Sequence, residues 1–198
     1  MKEILLNKIK DKFMIDGKLT NRYYHTIGVM DKAIELNRYH QLNVNENELL
    51  IACAFHDIAK YLSQEESVNI LKKHYSSIVD ELLDYPAIWH SFTGAIIAKE
   101  EYDILNESIL NAIKYHTTGK PNMNDLEKLV FLSDYIEEKT RIGECFEKVR
   151  TLAFQNIDLA IIKMLEQTIE YLELKKLPIH RFSKETYHYY LKEGKKDV

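Results

Sequence analysis

The amino-acid sequence predicts an all-α protein. Three observations carry this. Only 6 glycines and 3 prolines interrupt 198 residues. Leu, Ile, Ala, Lys and Glu dominate between the breaks. Apolar residues recur at three- and four-residue spacing, the period of a helix with one buried face.

Taken in order, a first helix is expected over 2 to 15, where MKEILLNKIKDKFMID alternates charge with apolar residues, up to the Asp16-Gly17 break. A second runs over 20 to 39 and carries His25, before the turn-rich stretch from Asn43 to Asn47. A third covers 46 to 58, with the buried stripe Leu49, Ala52, Cys53. A fourth, 64 to 74, precedes Tyr85-Pro86, and a fifth, 87 to 101, carries His90 and Gly94. The sixth, 106 to 116, buries Ile109, Ala112 and Ile113 and stops before Gly119-Lys120-Pro121. The seventh, 124 to 138, buries Leu126, Leu129 and Val130, and the eighth, 145 to 175, follows Ile142-Gly143. The tail from Pro178 is aromatic and less regular, and Tyr187, Tyr189 and Tyr190 are expected to pack back on the body. With no repeat or linker-like stretch, residues 1–198 are expected to form a single domain.

Composition excludes several classes of function. Cys53 and Cys145 stand far apart and neither lies in a C-x-x-C pair, so there is no disulfide framework and no thiolate zinc site, which suits a reducing cytoplasm. The N-terminal segment lacks the features of a signal peptide, and no apolar run approaches the ~20 residues of a membrane span. A formal net charge of -4 with interspersed signs argues against nucleic-acid binding. A small anionic substrate fits, because a few cations around a site can outweigh the overall sign locally.

The chemistry shows where polar residues interrupt buried stripes. Leu49, Ala52 and Cys53 lead at helical spacing to His56, and Asp57 lies about 100° further round the same turn. Lys60 follows one turn on. Ile109, Ala112 and Ile113 lead in the same way to His116, and Leu126, Leu129 and Val130 lead to Asp134. His25 and His90 are placed for the same cluster, and Gly94, one turn after His90, suggests a close approach there. A lone inward histidine is ordinarily satisfied by one hydrogen bond, and an isolated His-Asp pair by a helix end. Four histidines and two aspartates spread over five helices are better explained by a metal, since an ionised aspartate in a helical core needs a counter-charge. His40, His74, His180 and His188 read as ordinary surface or capping histidines.

The order His25, His56-Asp57, Asp134 resembles the HD-domain phosphohydrolase superfamily. Arg22-Tyr-Tyr-His25, Phe55-His56-Asp57-Ile-Ala-Lys60, Tyr115-His116-Thr-Thr-Gly119-Lys120-Pro-Asn-Met123 and Leu132-Ser-Asp134-Tyr-Ile-Glu137 are similar to the YqeK family over almost the whole chain. The resemblance implies an HD-domain helical bundle with a metal site between the core helices, two metal ions, usually iron, and symmetrical hydrolysis of diadenosine tetraphosphate to two ADP. It assigns His25, His56, Asp57 and Asp134 to one metal, and Asp57 as a bridge, with His90 and His116, to the other. Asp57 and Lys60 would be catalytic. Arg22, Lys60, His90, His116, Lys120 and Arg141 would contact the nucleotide, and a homodimer is expected.

The donor set alone also accepts manganese, zinc or cobalt. Two departures from the family pattern stand out. Lys120 replaces a common arginine and lacks its bidentate fork, and the segment from Glu137 to Arg141 lacks the usual proline and glycine spacing and is one residue longer. Rival readings are an HD-type nucleotide 5'-phosphatase, a guanosine tetraphosphate hydrolase, and a non-catalytic nucleotide-sensing partner protein.

Overall fold

A computed structural model describes residues 1–193. Helices α1 (Lys2–Ile9), α2 (Asn21–His40), α3 (Glu46–Phe55), α4 (Gln64–His74), α5 (Val79–Leu83), α6 (Trp89–Tyr102), α7 (Glu107–Tyr115), α8 (Asp125–Ile136), α9 (Glu144–Gln155), α10 (Ile157–Leu174) and α11 (Arg181–Glu193) make up nearly all of the regular structure. The two strands, β1 (Met14–Ile15) and β2 (Lys18–Leu19), form one short antiparallel hairpin.

The core sits where α2, α3, α7 and α8 meet, with α6 packed on α7. Val29, Met30, Ala33 and Leu36 of α2 face Leu49, Ala52 and Cys53 of α3. Ile109, Ala112 and Ile113 of α7 and Leu129, Val130 and Leu132 of α8 close the other side. The α3 and α7 residues, with Leu129 and Val130 of α8, are the stripes expected from periodicity, and removing this apolar surface from water is the main force holding the bundle. A smaller cluster of Leu71, Leu82, Ile88, Trp89 and Phe92 joins α4 and α5 to the start of α6.

Local signals explain the helix ends. Ser63 with Glu66, and Asn124 with Glu127, form capping boxes at α4 and α8, while the Asn45 and Asn106 side chains cap α3 and α7. Of the expected helices, one ends early and one divides. The first ends at Ile9 and passes through a 3-10 turn at Lys10–Phe13 into the hairpin. Asp16 and Gly17 there take φ of 50° and 73°, the left-handed pair that a tight two-residue hairpin turn requires. The stretch 145 to 175 is two helices, broken at Asn156, whose extended backbone and side-chain oxygen start α10 by accepting from Leu159 N.

The aromatic tail forms α11, which packs on α10. Tyr190 is buried and its hydroxyl accepts from Met123 N, so this tyrosine does pack back on the body. Of the two readings for His180, surface or capping, the structure shows the second: it is buried beside Tyr85 and Phe182, and its Nδ1 accepts from Phe182 N at the start of α11. His40 ties α2 to α9 by donating to Ala153 O.

Candidate metal centre and nucleotide cavity

Five elements bring the polar residues together. The first turns of α2 place Arg22 and His25 on one face, three residues apart. At the end of α3 the chain continues in tight turns, with Ile58 N bonded to Phe55 O and Lys60 N to Asp57 O, so His56, Asp57 and Lys60 project from a helix end. His90 comes from the first turn of α6, His116 from the residue just past α7, and Asp134 from the last turns of α8. His25, His56, Asp57, His90 and His116 are buried, and the Asp134 side chain is 17% exposed.

The imidazoles are oriented by what their outer nitrogens touch. His56 Nδ1 donates to Cys53 O and His116 Nδ1 to Ile113 O, each at 2.7 Å, the same bond to the carbonyl three residues back. With the proton on Nδ1, the inward Nε2 carries a lone pair. His56 Nε2 lies 3.4 Å from His25 Nε2, and His116 Nε2 lies 3.2 Å from His90 Nε2. Asp57 stands between these pairs. Its Oδ2 is 3.4 Å from His56 Nε2 and 4.0 Å from His25 Nε2, while its Oδ1 is 3.2 Å from His90 Nε2 and 3.7 Å from His116 Nε2. Asp134 Oδ1 is 2.8 Å from His25 Nε2.

Such a set suits a divalent cation. Donor atoms of His25, His56 and Asp134 lie within 4.8 Å of one another, as do those of His56, Asp57 and His116. Asp57 Oδ1 is buried without a hydrogen-bond partner, a costly condition for a carboxylate that a cation would relieve. Burial alone would raise the carboxyl groups of Asp57 and Asp134, but the surrounding imidazoles outweigh it and hold both well below the usual carboxylate range. Burial pushes His56 down and His90 down to about 4, keeping their imidazoles neutral as ligands must be.

His25 is anchored by a residue to which the sequence reading gave no role. Glu137, fully buried, lies with Oε1 3.1 Å from His25 Nδ1, and accepts from Lys139 N and Thr140 N and from the Thr140 hydroxyl. Burial opposes its ionisation, yet these bonds bring its carboxyl down to about 2. Buried Arg150 fixes the same corner by donating to Ile136 O, Glu137 O and Arg141 O. The close approach expected at Gly94 is instead at Gly28. A Cβ on Gly94 would meet its nearest neighbours at an ordinary 3.5 Å, whereas one on Gly28 would overlap Glu137 Oε2 and come within 3.0 Å of its Cδ. A glycine inside the apolar pattern of α2 was the available signal.

A cavity of about 710 Å³ opens over the cluster. Asp57, His90, His116 and Asp134 line its floor, Arg22, Lys60 and Arg141 its cationic rim, and Tyr135, Phe146 and Tyr171 its far wall. Arg22 Nη1 contacts Asp57 Oδ2 at 2.8 Å, and Arg141 Nη2 contacts Asp134 Oδ1 at 3.3 Å. Lys60 Nζ sits 3.1 Å from His90 Nε2 and 3.7 Å from Asp57 Oδ1. Lys120 is not brought here. Its ammonium pairs at 3.0 Å with buried Glu127, and the residue does not line the cavity.

A family model described as HD domain matches residues 22–139, which span every residue of the cluster. A relative from Halalkalibacterium halodurans named "Bis(5'-nucleosyl)-tetraphosphatase, symmetrical" is 38% identical over 96% of this chain and 100% of its own length. One of the same name from Bacillus subtilis is 37% identical over 80% of this chain and 83% of its own. A crystal structure from Clostridium acetobutylicum, described as a predicted HD superfamily hydrolase involved in NAD metabolism, superposes with a TM-score of 0.80 at 30% identity, covering 94% of this chain and 97% of that one. The chain belongs to the HD-domain family, alongside the relatives named symmetrical bis(5'-nucleosyl)-tetraphosphatase.

Proposed function

We propose that the chain is a metal-dependent hydrolase that cuts diadenosine tetraphosphate at its centre, releasing two ADP. The observation that carries this reading is the division of the Asp57 carboxylate between two groups of imidazoles at the floor of a cavity rimmed by cations. The names of the relatives supply the substrate. His25, His56, Asp134 and Asp57 Oδ2 would hold one metal, and Asp57 Oδ1, His90 and His116 the other. Iron is the proposed metal, and the mixed imidazole and carboxylate donors suit it.

Bound divalent cations supply Lewis acidity toward phosphate oxygens and make water a better nucleophile at neutral pH. The protein's own groups do the rest. Arg22 and Arg141 hold outer phosphates by charge-assisted hydrogen bonds. Lys60, partly screened from water, neutralises charge on the non-bridging oxygens at the cleaved linkage, where a fixed cation counts for more than at the surface. Hydrolysis breaks the central P–O–P linkage. One ADP keeps the bridging oxygen, the other gains the oxygen of water, and the protons of that water pass to the leaving oxygen or to solvent. Lys120 drops out of the substrate contacts, because Glu127 engages it away from the cavity. No helix among the described residues is long and apolar enough to cross a membrane, and we place the activity in the cytoplasm.

The test is a product assay by anion-exchange chromatography on iron-loaded protein. ADP as sole product, abolished by a chelator, is expected. AMP with ATP would mean attack at a different phosphorus. Phosphate released only from mononucleotides, or pyrophosphate only from guanosine tetraphosphate, would move the chain to another hydrolase class.

A further inference from the structure

A substrate with two identical halves, cut at its centre, leaves one nucleoside on each side of the reacting phosphorus. One side of the cluster opens into the 710 Å³ cavity. A second cavity, of about 380 Å³, opens beside it, and its volume falls within the range of small-molecule sites. The two share Lys60, Ala87 and His90 as a common ridge. His90 Nε2 is 3.2 Å from Asp57 Oδ1, and the Lys60 ammonium is 3.1 Å from His90 Nε2, so this ridge is the edge of the cluster itself. Lys60 and His90 therefore stand between two concave spaces, with Arg22 and Arg141 on the side of the large one. Beyond the ridge the small cavity is lined by Ala59, Leu62, Pro86 and Trp89, with Gln64 and buried Ser67 as its polar groups.

We propose that the small cavity is a second nucleoside subsite, which holds the base and ribose of one ADP half while the large cavity holds those of the other. The proposal rests on the reading of the chain as a hydrolase of dinucleoside tetraphosphates. The small cavity offers apolar area for the face of a base and an amide and a hydroxyl for its edge or its ribose, the combination that ligand sites use. Its walls differ from those of the large cavity. Tyr135, Phe146 and Tyr171 line the latter, whereas the small one has Trp89 alone among Tyr, Phe and Trp side chains. The subsites are therefore unequal.

Trp89 is the single tryptophan of the chain and lies in the wall of the small cavity, so its emission reports occupancy there. The experiment titrates the zinc-loaded full chain with ADP while following that emission, because zinc suits these donors and is redox-silent. A saturable change is expected. Gln64→Phe fills the cavity from an exposed position at the start of α4, and is expected to remove the change and lower kcat/KM for diadenosine tetraphosphate about tenfold or more, with thermal midpoint and metal content kept. Emission that stays flat at saturating ADP, or Gln64→Phe turning over the dinucleotide at the wild-type kcat/KM, overturns the subsite. Failure of the wild-type chain to cleave diadenosine tetraphosphate strikes the functional reading instead, and the ADP titration still decides the subsite by itself.

Discussion

Gly28 of α2 and Glu137 at the end of α8 face one another with no room for a methyl group between them. Glu137 cannot retreat, because its carboxylate is held by Lys139 N, Thr140 N and the Thr140 hydroxyl while it orients His25. Gly28→Ala is thus an overpacking change at the root of the metal site. It should cost about 1–3 kcal/mol of stability and reduce metal content together, read by thermal unfolding and elemental analysis of the same preparation.

Glu137→Gln keeps the shape and removes the charge that fixes the His25 ring. Carboxylates behind ligating histidines typically account for about 10–100-fold in metal affinity. The expected result is a loss of that size in competition with a chelator, with the helical signal unchanged. Wild-type metal affinity in this variant would show that Glu137 serves the fold alone.

Asp57→Ala removes the carboxylate shared by both groups of imidazoles. Metal loading and hydrolysis should both vanish, and undiminished turnover would sink the assignment of the site.

Lys120→Ala should leave KM for the dinucleotide within about twofold, because the residue lies off the cavity. It should instead cost about 1 kcal/mol of stability by leaving buried Glu127 without its ammonium partner, a figure kept low because the lysine is partly exposed. A KM rise without a stability change would return Lys120 to the substrate.

Acid should weaken the docking of α11 through His180. Burial lowers its pKa below 6.5, against the nearby carboxylates of Glu81 and Glu185 and with help from Arg181. The buried Nδ1 already accepts from Phe182 N and so disfavours a proton. Because the folded pKa lies below the unfolded one, the contribution is complete above about pH 6.5 and is lost as pH falls through the folded value. The protection factors of α11 amides, taken relative to intrinsic exchange, should fall as pH drops below about 6.5, and His180→Gln should flatten the dependence.

Much of the candidate site was legible before any coordinates. His56, His116 and Asp134 each stood where a periodic stripe called for an apolar residue, and the structure brings them within reach of His25, Asp57 and His90. Glu137 was not legible as a partner of His25. It sits 112 residues away in sequence, its neighbour Glu138 is a charged residue of the same type, and only the turn after α8 decides which of the two faces inward. Gly28 and Gly94 each lie one turn after a candidate histidine, and only the packing of Glu137 against α2 shows that the close approach is at Gly28.

The sequence by itself determined the helical class, the faces that are buried and the residue types able to hold a cation, because these follow from composition and from a 3.6-residue period that acts locally. Where the helices stop, which carboxylate orients His25, that Lys120 turns to Glu127, and that two cavities share the ridge of Lys60 and His90 were decided only by tertiary structure. Those outcomes depend on packing between segments far apart in the chain, and no local periodicity carries that information.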